Sequence, residues 1–153
     1  MNDFTVQKLK TEFVEKEHLS ILIDDTPLDL LIADEDENGE LHSVGLVPTL
    51  LDWMTDEKER KVTWERILPE EGKKAIAPIL MCPDDCDLVC TVVVAEVETR
   101  GNAVIWRRIG LDYGDKAGKP ERVGKEVEWL VLPSFTFQLN DYKKGINQFK
   151  SGK

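Results

Sequence analysis

The chain has 153 residues, enough for one domain that buries a core without disulfide help. It is 41% hydrophobic, 7% aromatic and 33% charged, with no apolar run long enough to span a bilayer, so disordered, fibrous and membrane-helix classes are excluded. The net charge of −10 is all N-terminal: residues 1–80 carry 9 basic and 19 acidic side chains, and residues 81–153 carry 11 of each. Such a surface repels phosphate backbones, which argues against nucleic acid; it serves solubility or steers a basic protein partner.

Residues 4–14 alternate weakly, with Phe4 and Val6 in phase before a slip to Leu9 and Phe13, and read as strand-like. Leu19 to Ile23 is a short apolar run stopped by Asp24-Asp25-Thr26-Pro27, where aspartates bond their own backbone and proline presets a bend. Leu28 to Ala33 resumes the run as a further strand. Asp34 to Glu40 interrupts it, with Asn38-Gly39 as a hairpin signal before Leu41 to Leu46.

Pro48 opens a predicted helix with Leu46, Leu50, Trp53 and Met54 on one face. Thr55-Asp56-Glu57 caps a second, although residues 61–68 fit helix or strand. β-Structure follows: Ile76 to Met81, then Val89 to Val97, a turn at Thr99-Arg100-Gly101-Asn102, and Ala103 to Ile109. Residues 112–125 are polar and glycine-rich and read as a mobile loop. Val127 to Leu132 and Phe135 to Leu139 are strands broken at Pro133. Asn140 or Asp141 caps a terminal helix with Tyr142, Ile146 and Phe149 on one face, weakened by Gly145. The expected fold is α+β: a single domain over 1–153, mostly antiparallel β-sheet with two or three helices.

The clustered soft-ligand chemistry is Cys82-Pro83-Asp84-Asp85-Cys86-Asp87-Leu88-Val89-Cys90. A structural zinc site takes four Cys or His ligands in close pairs, whereas here the spacing is C-x3-C-x3-C and both histidines, His18 and His42, are remote in sequence. Asp84, Asp85 and Asp87 can add oxygen ligands. Three readings stay open: small buried hydrophobes at strand ends, a metal site, or a reversible disulfide. Asp34-x-Asp36-x-Asn38-Gly39 copies half of a calcium loop, but Gly45 stands where the bidentate glutamate belongs, so an acidic hairpin tip accounts for it better. No G-x-S-x-G elbow or phosphate-cradling glycine loop occurs, and two histidines supply few bases, so an enzyme is not expected. All four tryptophans read as core.

A further pattern is the order of short segments. Ile21-Leu22-Ile23-Asp24-Asp25-Thr26-Pro27-Leu28 comes first, then Gly45-Leu46-Val47-Pro48 with Trp53. Pro78-Ile79-Leu80-Met81-Cys82, the cysteine loop, a valine-rich strand and Val104-Ile105-Trp106 follow. Over roughly residues 20–110 this order resembles a family of small uncharacterised bacterial proteins whose central stretch reads C-P-x-C-G-D-x-x-C-G before a strand and V-x-W. Cys82, Asp87 and Cys90 match that spacing; Asp85 stands where the middle cysteine would be, and Cys86 and Thr91 replace the glycines. The resemblance implies a fold relationship and no activity.

The functional expectation is a non-enzymatic cytoplasmic protein, without a leader at Met1 to Lys8 and without membrane or nucleic-acid binding. It would capture a basic protein partner, as immunity proteins do, through an acidic N-terminal face including Asp24, Asp25, Asp34, Asp36 and Glu37, with no cofactor. The alternative is a metal-binding protein, zinc for choice, or a redox-responsive one, using Cys82, Cys86 and Cys90.

Overall fold

The alternating and apolar runs become strands of two antiparallel sheets in a computed structural model that describes residues 1–11, 14–35, 44–89 and 92–151. In the smaller sheet, β1 (Phe4–Thr11) pairs with β2 (Val14–Ile23), which pairs with β3 (Thr26–Pro27). The stop at Asp24-Asp25 is a two-residue hairpin turn: their φ values of 51° and 68° are both left-handed, as such a turn requires. The Asn38-Gly39 hairpin signal and the first half of the Leu41 to Leu46 run lie outside the described residues.

The larger sheet runs β4 (Val47–Pro48), β5 (Lys74–Met81), β6 (Val92–Arg100), β7 (Ala103–Asp112) and β8 (Val127–Trp129), with β9 (Phe135–Gln138) also on β7. β6 and β7 form the expected hairpin, with Arg100 opposite Ala103 and Gly101 supplying φ 61°. β6 is buried along nearly its whole length, as its unbroken valine run requires of a central strand. Asn2 joins the sheets: its N–H donates to the Thr136 carbonyl at 2.7 Å, and its side-chain oxygen accepts from the Thr136 N–H at 2.9 Å.

Two segments differ from the sequence expectation. Leu28 to Ala33 is not a strand but the start of α1 (Leu28–Glu35), with Leu28 and Ile32 buried one turn apart. A short continuous apolar run carries no period that separates strand from buried helix, and Asp29 in the first turn favours the helix. Conversely, the helix predicted from Pro48 is absent. The Thr49 N–H donates to the Ile79 carbonyl (3.1 Å) and its hydroxyl to the Pro78 carbonyl (2.7 Å), so the backbone is captured by the edge of β5. Leu50, Leu51 and Met54 are buried through successive turns instead.

The ambiguous 61–68 stretch is helical: α2 (Glu57–Ile67) starts at Asp56, whose carboxylate accepts from the Glu59 N–H at 3.0 Å. The terminal helix α3 (Leu139–Ser151) starts earlier than expected, and the Gln138 side chain, not Asn140 or Asp141, accepts from the Asp141 N–H at 2.8 Å. No helix among the described residues is long and apolar enough to cross a membrane.

The elements meet at an aromatic cluster. Phe4 lies 4.7 Å from Tyr142 and 5.1 Å from Phe137, and Trp106 lies 5.3 Å from Phe137, ring centre to ring centre. The Tyr142 hydroxyl donates to the Ile67 carbonyl at 2.6 Å and accepts from Trp106 Nε1 at 3.3 Å, which joins α3, α2 and β7 at one atom. Burial pushes this phenol well above its ordinary range, so it stays a donor. Trp106 is the fully buried tryptophan; Trp53, Trp64 and Trp129 are half-buried, with Lys16, Lys150 and Arg108 respectively over their rings.

Gly145 has a packing role that helix propensity hides. A Cβ there would sit 2.6 Å from the Phe4 ring, so only glycine lets α3 approach β1. Gly145→Ala is expected to destabilise by about 1–3 kcal/mol in urea unfolding despite the better propensity of alanine; a stabilised variant would refute the packing account. Tyr142→Phe strands the Ile67 carbonyl and Trp106 N–H, and is expected to cost about 1–3 kcal/mol in the same assay, a neutral result contradicting the hub.

Candidate functional site

After Met81 the chain leaves β5 and turns on itself. The Cys86 N–H donates to the Cys82 carbonyl at 2.9 Å, and Cys86 holds φ 51°, a left-handed conformation uncommon outside glycine. The Cys86 thiol donates to the Pro83 carbonyl at 3.2 Å. Leu88, fully buried, plugs the turn into the core, and its N–H donates to Glu59 Oε2 at 2.8 Å. The cysteine turn is therefore hung from the core at one residue and from α2 at one carboxylate.

Cys82 and Cys86 are free thiols, each half-buried, while Cys90 lies outside the described residues. Burial pushes the Cys86 thiol up, and neighbouring Cys82, Asp87, Asp85 and Asp84 add to the effect. A thiol held this way is protonated at neutral pH, the opposite of an activated thiolate. Among the described residues no group of three His, Cys, Asp or Glu converges on one point. His18 is buried in β2 against Trp53, with ring centres 5.2 Å apart, and His42 lies outside the described residues.

Residues 112–125 form the facing wall, and they are tied down rather than hung loose as the composition suggested. The fully buried Asp112 carboxylate accepts from the Gly114 N–H (2.9 Å), Lys116 Nζ (3.1 Å) and the Gly124 N–H (2.7 Å). Lys116, also buried, completes the knot by donating to the Gly114 carbonyl at 2.8 Å. Arg66 of α2 donates to the carbonyls of Val123 (2.6 Å), Glu121 (2.9 Å) and Ile76 (3.3 Å), which fastens the loop to the helix and β5.

Between the two loops and the start of α2 lies an open cleft of about 600 Å³. α2 and its cap contribute Asp56, Glu57, Lys58 and Glu59; the cysteine turn contributes Asp85, Cys86 and Asp87; the facing loop contributes Lys116, Gly118 and Pro120. Lys116 is neutralised by Asp112, so five carboxylates face one exposed lysine, Lys58. Burial raises the Glu59 carboxyl above the ordinary glutamate range; the bond from Leu88 opposes the shift, and nearby Asp87 and Asp56 reinforce it.

The acidic residues singled out in the sequence lie elsewhere. Asp24 and Asp25 are neighbours in the β2–β3 turn, and Asp34 is exposed in the last turn of α1. Asp24 is engaged internally: it accepts from Asn2 Nδ2 and from the Asp3 N–H, both at 2.8 Å, and these bonds lower its carboxyl below the usual range. Asp36 and Glu37, with most of the calcium-like loop, lie outside the described residues. The cleft carboxylates escaped the sequence reading as a group. Asp56 was visible as a cap and Asp85 and Asp87 as cysteine-loop acids, but nothing in their spacing announced that they meet.

Comparison with protein-family models, with curated proteins and with solved structures returns no match for the chain.

The Glu59 shift has a signed consequence. With its folded pKa raised, the folded state holds this proton more tightly than the unfolded chain, so stability falls as pH rises from about 4.3 upward through the raised value. Glu59→Gln keeps an oxygen for the Leu88 N–H and removes the charge. Its stability relative to wild type is expected to improve from pH 4 to pH 7 in urea unfolding; a pH-independent difference would contradict the shift.

Proposed function

We propose that the protein is a non-enzymatic binding module that captures a basic protein partner, in the manner of immunity proteins. The observation that carries this reading is the cleft, where Asp56, Glu57, Glu59, Asp85 and Asp87 face the single exposed Lys58. A concave surface of one sign focuses the field and raises the capture rate of an oppositely charged partner. The acids of the β2–β3 turn and of α1, Asp25 and Asp34, extend the negative field beyond the cleft. The cysteine alternative, with zinc or another metal on Cys82, Cys86 and Cys90, is supported less: it rests on the clustering of these residues in the sequence, whereas the cleft is a feature of the fold.

The test is a calorimetric titration of the reduced protein with hexalysine at low salt, repeated with Asp85→Asn/Asp87→Asn. The double variant is expected to bind about threefold to tenfold more weakly, and added salt should weaken the wild type. An Asp25→Asn control should change affinity less than the cleft variant. Absence of binding, or equal affinity of the wild type and the cleft variant, would remove the proposal.

A further inference from the structure

The cysteine turn carries more than a wall for the cleft. The N–H of Cys86 reaches the carbonyl of Cys82, which closes a five-residue turn. A turn closed by that bond holds its end Cα atoms roughly 6 Å apart, by helical geometry. That separation falls inside the window of about 4.4–6.8 Å over which disulfides form. Cys86 leaves the turn through a left-handed φ of 51°, and its thiol is turned back to the Pro83 carbonyl, 3.2 Å away and one residue after Cys82. Both thiols are half-buried, within reach of a small reagent. Cys86 itself lines the cleft, between Asp85 and Asp87.

We propose that Cys82 and Cys86 form a reversible disulfide that draws the Asp85–Asp87 wall out of the cleft and weakens capture of a basic partner. The pairing stands on the turn geometry; its consequence for capture rests on the binding reading given above. The oxidant is the disulfide of a small thiol. Cys82 loses its proton to water and attacks one of its sulfurs, giving a mixed disulfide on Cys82 and releasing one small thiolate, which takes up a proton. Cys86 then loses its proton to water and attacks the Cys82 sulfur, releasing the second small thiol, which takes up a proton. Two protein thiols are oxidised and one small disulfide is reduced to two thiols. The raised pKa of Cys86, and its bond to the Pro83 carbonyl, suit it to the second step rather than the first.

The chain permits a clean assignment. Asp84 and Asp85 separate Cys82 from Cys86, and Asp87 separates Cys86 from Cys90, so cleavage before aspartate puts each cysteine in its own peptide. Reduced protein is exposed to glutathione disulfide, its remaining thiols are blocked with N-ethylmaleimide, and the digest is weighed. The expected product joins the Cys82 and Cys86 peptides with loss of two hydrogens, reverses with dithiothreitol, and persists in Cys90→Ser. Cys86→Ser is expected to stop at a glutathione adduct on Cys82. Three blocked thiols after exposure, or a crosslink through Cys90, would overturn the pairing. Hexalysine is then titrated against the reduced and oxidised protein, with about a threefold or greater loss of affinity expected on oxidation. Equal affinity in the two states overturns the gating. No binding in either state overturns the binding reading and the gating with it, while the mass of the crosslinked peptides still reports the pairing.

Discussion

The bond from the Tyr142 hydroxyl to the Ile67 carbonyl is the constraint on which the other parts of the structure depend. It ends α2 against α3, and the Trp106 N–H that meets the same oxygen fixes both helices on β7. Phe4 closes over this point from the other sheet, and its ring takes the space that a side chain at position 145 would fill. Apolar burial supplies most of the driving force here, but it is non-directional. The shared hydroxyl and the edge-on aromatic contacts select one arrangement among the many that burial would allow.

With the end of α2 anchored, its eleven residues carry its start about 16 Å away, to the rim of the sheet. There Glu59 accepts from the Leu88 N–H and holds the cysteine turn, while Arg66 holds the loop after β7. The cleft is thus built by one helix acting as a strut between two loops. Its negative potential follows from how each charge is used. Of the two lysines that line it, Lys116 is taken up by Asp112 and Lys58 is exposed, so the five carboxylates at the start of α2 and in the cysteine turn outnumber the cations. Burial raises the Cys86 thiol, and two of the carboxylates that line the cleft, Asp87 and Asp85, add to the rise.

Much of the architecture was legible because it is local. The unbroken valines of β6, the Gly101 turn, the Asp56 cap and the Tyr142–Ile146–Phe149 face each express a preference that acts within a few residues. The failures share a cause. Leu28 to Ala33 is apolar without a decisive period, so the choice of helix belonged to what covers it. The segment after Pro48 has helical spacing, but the carbonyls of Pro78 and Ile79 outbid a helix for the backbone and hydroxyl of Thr49. Residues 112–125 looked loose by composition because their anchor, Asp112, is a single residue whose partners lie up to twelve positions away.

The sequence by itself determined the α+β class, the antiparallel β6–β7 hairpin, the acidic character and the clustering of thiols with aspartates, since each rests on periodicity, turn chemistry or composition. Only the tertiary structure decided that Asp56, Glu57 and Glu59 meet Asp85 and Asp87 in one cleft, that Asp24 is engaged with the N-terminal residues, and that Gly145 is a contact rather than a weakness. These depend on distances between residues far apart in the chain. Such distances are set by the packing of whole elements, and no local preference encodes them.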